Sequence, residues 1–371
     1  FGKINFVVKK QFDKSIYFIT LQFMNLRIIK MKRTISTILF TIFCTLFTFA
    51  QKSEEISIIS FNIRLDYPGD KLNNWQYRKE HIIRMIQIEH PSVLCTQELL
   101  NNQRLYLAES LPEYEHIGVG RDDGEHGGEH MAIFYRHDLY ELLSHGNFWL
   151  SETSEHVSCG WDAACNRITT WGYFKSKETG NTFYCFNTHL DHVGKIAREE
   201  SIKLIINKIN EISTDKFAAI FLAGDFNTTC NDSIFSPLSI LLKETRTEAP
   251  QSDNCGTYHN FGKVNDNIVI DHIFFKNAQP KNFQTLNKNI YGTPYISDHF
   301  PVKAIYQIDP YPIGCSVNFN FRGEIYEGTI VDRNDKSCTI SFYYKQKNEM
   351  PLSALFTTST FHIINRIESK N

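Results

Sequence analysis

"FAAIFLAGDFN", residues 217–227, runs apolar without a break up to Gly224 and then delivers an acid and an amide, Asp225 and Asn227. An apolar run with no alternation is the pattern of a β-strand covered on both faces. Upstream, "ISIISFNI" (56–63), "SVLCTQE" (92–98) and "NTFYCFNTHL" (181–190) are further β-rich runs. Between them, "YRKEHIIRMIQIEH" sets Ile82, Ile83 and Ile86 against a polar face and stops at Pro91, the mark of an amphipathic helix. "REESIKLIINKINEI" places Ile202, Ile205, Ile206, Ile209 and Ile212 at helical spacing. "IVIDHIFFK" and "FPVKAIYQI" are later strands. Strands alternating with helices over residues 56–308 predict one α/β layered domain.

Polar residues recur where these runs end. Asn62 follows "ISIISF", Glu98 follows "SVLCTQ", His189 follows "FYCFNT", and Asp225 and Asn227 follow "AAIFLAG". Carboxyl ends of strands form the binding edge of open α/β sheets. Asp271 and the Asp298–His299 pair instead sit in or just before strands. If those strands run antiparallel to the rest, their beginnings share the same edge. Each residue alone has a bland reading as a solvated strand end or turn; the ordered set is more specific.

The chain has 371 residues, 42% hydrophobic and 22% charged, which gives ample material for a core. A formal net charge of -2 provides no excess of Lys and Arg, which disfavours a tight duplex-DNA binder. Met31, Lys32, Arg33 and the apolar "TISTILFTIFCTLFTFA" read as a signal peptide over 31–50, cut near Ala50. Residues 1–30 then read as upstream read-through, and the mature protein as secreted or periplasmic with no stable membrane span; an uncleaved anchor is the alternative. Cys159 and Cys165 could close a small loop in an oxidising compartment, whereas Cys95 and Cys185 lie in core-like runs. No CxxC pair occurs, so a zinc ribbon is excluded. After "DPYPIG" the texture changes to short strand-like runs, which predicts a small SH3/Tudor-like β-barrel over 312–371. Its Tyr326, Phe342, Tyr343 and Tyr344 are either a ligand surface or a small core, and its partner is unknown.

The ordered motifs "SFNIR", "CTQE", "NTHLDH", "AGDFN", "IDHIF" and "SDHFPV" resemble the endonuclease/exonuclease/phosphatase superfamily, over about Ile56 to Ile308. "GVGRDDGEHGGEH", "FWLSETSE" and "CGWDAACNR" are similar to an extracytoplasmic bacterial branch akin to the carbon-catabolite-repression-type deadenylases. The resemblance implies a four-layer sandwich, two mixed β-sheets face to face with helices outside, and hydrolysis of a phosphoester in a nucleic acid, nucleotide or phospholipid. It implies Mg²⁺, or Mn²⁺ in its place, held by Glu98 with Asn62 and Asp271 beside it; hard cations take oxygen ligands. His189 then donates to a phosphate oxygen, Asp225 and Asn227 orient the water, and His299 is the general base oriented by Asp298. Arg64, Arg121, Arg167, His192 and His130 are candidate substrate contacts. In "DDGEHGGEH" Asp122, Asp123, Glu125, His126, Glu129 and His130 form either a substrate or second-metal loop or a solvated Gly-rich one. Trp75, Trp161 and Trp171 either stack a base or lie in the core. A phosphodiesterase or nuclease is the leading expectation. A phosphatase or sphingomyelinase-type esterase is the alternative, and a non-catalytic binding protein the third.

Overall fold

The computed structural model describes residues 54–309, 314–322, 324–333, 337–344, 352–359 and 363–366. The expected leader over 31–50, the cut near Ala50 and segment 1–30 lie outside the described residues. The chain divides into a compact unit Gln51–Cys315 and a second one that includes Ser316–Asn371.

In the first unit the strands are β1 (Glu54–Asn62), β2 (Val93–Gln97), β3 (Tyr114–Ile117), β4 (Ile133–Arg136), β5 (Tyr140–Trp149) and β6 (Ile168–Ser176). They continue with β7 (Thr182–His189), β8 (Ala219–Asp225), β9 (Lys243–Glu244), β10 (Asp271–Lys276), β11 (Gln279–Thr285) and β12 (Val302–Ile308). One sheet has the order β11-β12-β1-β2-β4-β3, the other β5-β6-β7-β8-β10-β9. Both are mixed: β1 with β2 and β7 with β8 are parallel, while β12 runs antiparallel to β1 and β10 to β8.

The sequence pattern explains the layers. Side chains alternate along a strand, so Ile56 and Ile58 of β1 meet Cys185 of β7 and Phe221 and Ala223 of β8 in the core between the sheets. The alternate set, Ile59 and Phe61, faces outward onto helix α1 (Trp75–Glu89) and Leu107 of α2 (Asn101–Ser110). On the other sheet Ile220 and Leu222 face Ile202, Ile205 and Ile209 of α3 (Lys195–Ile212). Helix α1 starts where the Asn74 side chain accepts a hydrogen bond from Gln76 N at 3.2 Å, and ends at His90 in a left-handed conformation just before Pro91. The result is the expected four-layer sandwich of two mixed sheets with helices outside.

The second unit departs from expectation. Its strands β13 (Ser316–Phe321), β14 (Glu324–Arg333), β15 (Ser337–Tyr344), β16 (Leu352–Ser359) and β17 (Ile363–Arg366) form one sheet in the order β16-β15-β14-β13-β17. Register shifts in β13 and β14 bend it, but among the described residues no ladder joins β16 to β17, so no barrel is closed. Its aromatic residues form its own core: Phe342 is buried, with ring centroids 4.9 Å from Phe319, 5.2 Å from Phe321 and 5.5 Å from Tyr326. Tyr343, one residue on, is 76% exposed, as strand alternation requires. The Tyr344 side chain lies outside the described residues.

Candidate active site

The parallel pairs bring the ends of β1, β2, β7 and β8 to one edge of the sandwich, and the antiparallel strands bring the beginnings of β10 and β12 there. In the register His189 pairs with Asp225, and Asp225 with Asp271. Gly224 permits this closeness, since a Cβ at its position would lie 2.2 Å from the Thr188 carbonyl oxygen.

A cavity of about 390 Å³ opens at this edge, lined among others by Arg64, Glu98, Arg121, Glu129, Arg167, His189, His192, Asp225, Asn227, Tyr258, Asp298 and His299. Asn62 is fully buried, and its amide nitrogen donates to Glu98 Oε1 at 3.0 Å and to Asp225 Oδ2 at 2.9 Å, tying the two sheets together. Its oxygen accepts from Arg64 N at 3.0 Å. Arg64, Glu98 and Asn227 all hold left-handed backbones, with φ of 60°, 59° and 51°. Such conformations cost free energy in non-glycine residues, and they cluster at functional sites.

His299 Nδ1 lies 2.9 Å from Asp271 Oδ2, and its Nε2 lies 3.8 Å from Asp225 Oδ2. This corrects the expected Asp298–His299 dyad: the carboxylate that orients His299 is Asp271. The partner comes from β10 instead. Asp298 lines the same cavity and adds to the negative field at His299, but its Oδ2 pairs with Arg64 Nε at 3.8 Å; Glu98 lies 3.7 Å from Arg64 Nη1. Tyr258, which no sequence signal marked, sets its ring against His299 with centroids 5.1 Å apart.

The electrostatics separate the roles. Burial alone would push the His299 imidazole down, but the charges of Asp271 and Asp225 and the Asp271 hydrogen bond lift it to about 10. Burial, then the Asp271 charge, push the Asp225 carboxyl up to about 6. Burial, then the charges of Arg167 and Arg121, push His189 well below its ordinary range, so it is neutral. Asn227 Nδ2, oriented by a 3.0 Å bond to the Leu190 carbonyl, donates to His189 Nε2 at 3.0 Å, which leaves the proton on Nδ1. That Nδ1 is buried and has no hydrogen-bond partner.

Four carboxylates gather here, Glu98, Asp225, Asp271 and Asp298; among the described residues their close ion pairs are with Arg64 and His299, with Arg78 further off, and Asp271 Oδ1 is buried without a hydrogen-bond partner. Uncompensated buried negative charge and an oxygen-rich donor set fit a hard divalent cation. Donor atoms of Asp225, Asp271 and His299 lie within 4.8 Å of one another. A second such group, Cys165, Asp191 and His192, is differently committed. The Asp191 carboxylate accepts from the backbone of Val193, Gly194 and Ala164 and pairs with Arg167, and against burial these bonds hold it down at about 2.

Other expectations resolve individually. His130 is buried, with Nδ1 3.0 Å from the Leu99 carbonyl oxygen, and does not line the cavity; its neighbour Glu129 is the residue of "DDGEHGGEH" that does. Arg167 and His192 both line it, with Arg167 Nη2 3.0 Å from His192 Nδ1. None of Trp75, Trp161 and Trp171 does: Trp75 packs in the core beneath α1, and Trp171 packs beside α3. Cys159 and Cys165 are both free, because their thiols turn to different partners, the Ala163 carbonyl and Asp191. Cys95 and Cys185 are core residues with Sγ atoms 3.5 Å apart.

A mixed-sheet sandwich with carboxylates, imidazoles and arginines gathered at one edge defines a phosphoesterase scaffold. The chain belongs to the endonuclease/exonuclease/phosphatase family, whose profile matches residues 59–299. The endonuclease/exonuclease/phosphatase of Bacteroides vulgatus is 38% identical, with a TM-score of 0.66, over 69% of this chain and 100% of that one. The mannosyl-6-phosphatase of Bacteroides thetaiotaomicron is 36% identical, with a TM-score of 0.65, over 68% of this chain and 100% of that one. An uncharacterised protein of Acanthamoeba polyphaga mimivirus is 28% identical over 63% of this chain and 92% of its own length. The CCR4-Not complex 3'-5'-exoribonuclease subunit of Emericella nidulans is a more distant relative, 23% identical over 38% of this chain and 25% of its own length.

Proposed function

We propose that this chain is a divalent-metal-dependent hydrolase of phosphate monoesters. The observation that carries the hydrolase reading is the Asp225–Asp271–His299 cluster, of which Asp225 and His299 line the cavity. Between the phosphodiesterase and phosphatase expectations, the lining favours the second. Single-strand binders stack successive bases on aromatic platforms; among the described residues Tyr258 is the aromatic side chain of the lining, and its ring is set against His299. The 36% identical Bacteroides thetaiotaomicron relative is named as a phosphatase. Glu98 and Asp298, with Asn62, would hold Mg²⁺ or Mn²⁺. When bound, the cation supplies Lewis-acid stabilisation of phosphoryl oxygens.

The chain's own groups divide the remaining work. Asp225, held through Oδ1 by Asn227 N at 2.9 Å and through Oδ2 by Asn62, takes the proton of the attacking water. A carboxyl lifted to about 6 is a better base near neutrality than an ordinary one. His299, charged in this arrangement, steadies phosphoryl oxygen instead of acting as the base, which reverses the roles expected from the sequence. The His189 Nδ1–H, expected to donate to phosphate, is turned toward Glu129 Oε2 at 3.9 Å, away from Asp225. Export after cleavage near Ala50 remains part of the proposal, to be tested by sequencing the N-terminus of the protein recovered outside the cytoplasm. The central experiment assays p-nitrophenyl phosphate, hexose 6-phosphate, poly(A) and single-stranded DNA with Mg²⁺ and with chelator. Metal-dependent turnover of the monoesters is expected; degradation of the polymers with no monoester turnover would sink the reading.

A further inference from the structure

The cavity has a second half that the hydrolytic groups do not use. One imidazole separates the halves: His189 Nε2 lies 3.5 Å from Asp225 Oδ2, and its Nδ1 lies 3.9 Å from Glu129 Oε2. Beyond it, Arg121 Nη1 binds Glu129 Oε2 at 2.7 Å, and Arg167 Nε pairs with Asp191 Oδ2 at 3.2 Å. Both arginines are at least nine-tenths buried, yet Arg121 Nε and Arg167 Nη1 make no hydrogen bond. Buried guanidinium donors are rarely left idle, because each carries an unrecovered desolvation cost. Their charge is already answered: Arg121 by Glu129, with Asp122 4.0 Å from its Nε, and Arg167 by Asp191. This half therefore holds spare hydrogen-bond donors, closed off from solvent, beside guanidinium charges that are already paired. Glu129 adds an acceptor, since only its Oε2 is engaged and it lines the cavity.

A group that both donates and accepts, and bears no charge, satisfies such a wall. A second phosphate or carboxylate on the substrate would lie against Glu129, whose carboxyl is lifted by burial to about 7 against the pull of Arg121, and would push it further up. We infer that Arg121, Glu129 and Arg167 form a leaving-group subsite for a neutral polyhydroxylated moiety, so that the substrate is a sugar phosphate or a similar polyol phosphate. This inference rests on the phosphomonoesterase reading above.

The test uses the full chain with Mg²⁺ and two substrates, hexose 6-phosphate and p-nitrophenyl phosphate, which carries the same scissile group and no hydroxyl. Glu129→Gln and Arg121→Lys should each lower the ratio of kcat/KM for the hexose phosphate to that for p-nitrophenyl phosphate by about tenfold, mostly through KM. Unphosphorylated hexose should compete with p-nitrophenyl phosphate in the wild type and less well in both variants. A hexuronic acid should compete less well than the neutral hexose. Melting curves identify a misfolded variant, in which case Arg121→Lys, which keeps its charge beside Glu129, carries the comparison. An unchanged ratio in the folded variants, or stronger competition by the uronic acid, overturns the subsite while leaving the phosphatase standing. Turnover of bis-p-nitrophenyl phosphate with neither monoester cleaved overturns the phosphatase and the subsite with it.

Discussion

His299 draws its charge chiefly from residues distant in the chain, Asp271 and Asp225, and less from Asp298 beside it. Asp271→Asn should therefore cut kcat by about 10²-fold or more with little change in the Mg²⁺ requirement, a loss kept below the ~10⁴ of a triad without metal. Asp298→Asn and Glu98→Gln should instead raise the Mg²⁺ concentration for half-activation, because an amide is a poorer ligand for a hard cation. Titrating activity against Mg²⁺ in all three variants separates the two roles. Proton linkage gives a further expectation. The folded His299 titrates at about 10 against an ordinary 6.5. In metal-free protein its stabilising contribution is complete below about pH 6.5 and disappears as pH rises through about 10. Melting temperature should fall across that window, and fall less steeply in His299→Gln. The membership of this site was legible because each residue closes or opens an apolar run. The pairing was not legible, since "IDH" and "SDH" offer the same residue types and only side-chain direction assigns the partner. Tyr258 left no sequence signal, and Glu129 only its membership of the candidate loop "DDGEHGGEH".

At the scale of strands, the close approach of β7 and β8 depends on Gly224. A methyl group there would collide with the Thr188 carbonyl one register step before the His189–Asp225 pair. Gly224→Ala should destabilise by about 1–3 kcal/mol, roughly a 2–12 °C fall in melting temperature. It should also reduce activity at temperatures where the protein is still fully folded, because the strands must part at the site. Thermal melts paired with kcat at 20 °C check both halves of the claim. Strands buried on both faces, such as β8, and helices with an isoleucine face, such as α1 and α3, announced themselves through period and composition. β5 did not: its burial is irregular, with a shift in pairing between Leu142 and Ser144, so neither alternation nor a continuous apolar run marks it. The barrel failed as an expectation for a related reason. Short strands and turns fix local hairpins, but closure depends on a pairing between distant strands that local texture does not encode.

Across the whole molecule, every site residue belongs to the unit Gln51–Cys315. A chain ending at Asp309 should keep the Mg²⁺ dependence and the kcat of the full chain within about threefold, since that end follows β12 and leaves both sheets whole. Loss of activity in a soluble truncated protein would assign the C-terminal sheet a part in the reaction. Within the unit, Asn62, Glu98, Asp298 and His299 arrive from the first sheet, and His189, Asp225 and Asp271 from the second. Buried bonds clamp them: Asn62 to Asp225, His299 to Asp271, and Gln97 to Asn187 at 2.7 Å. Between the sheets the filling is Cys95, Cys185, Phe221 and their neighbours. The gap between the two halves of the catalytic apparatus is therefore gauged by the girth of that filling. Shims and shavings made there, with no contact to substrate, will register as changes in turnover before they register as unfolding, because a displacement of about 1 Å at reacting atoms is worth about 10²-fold in rate.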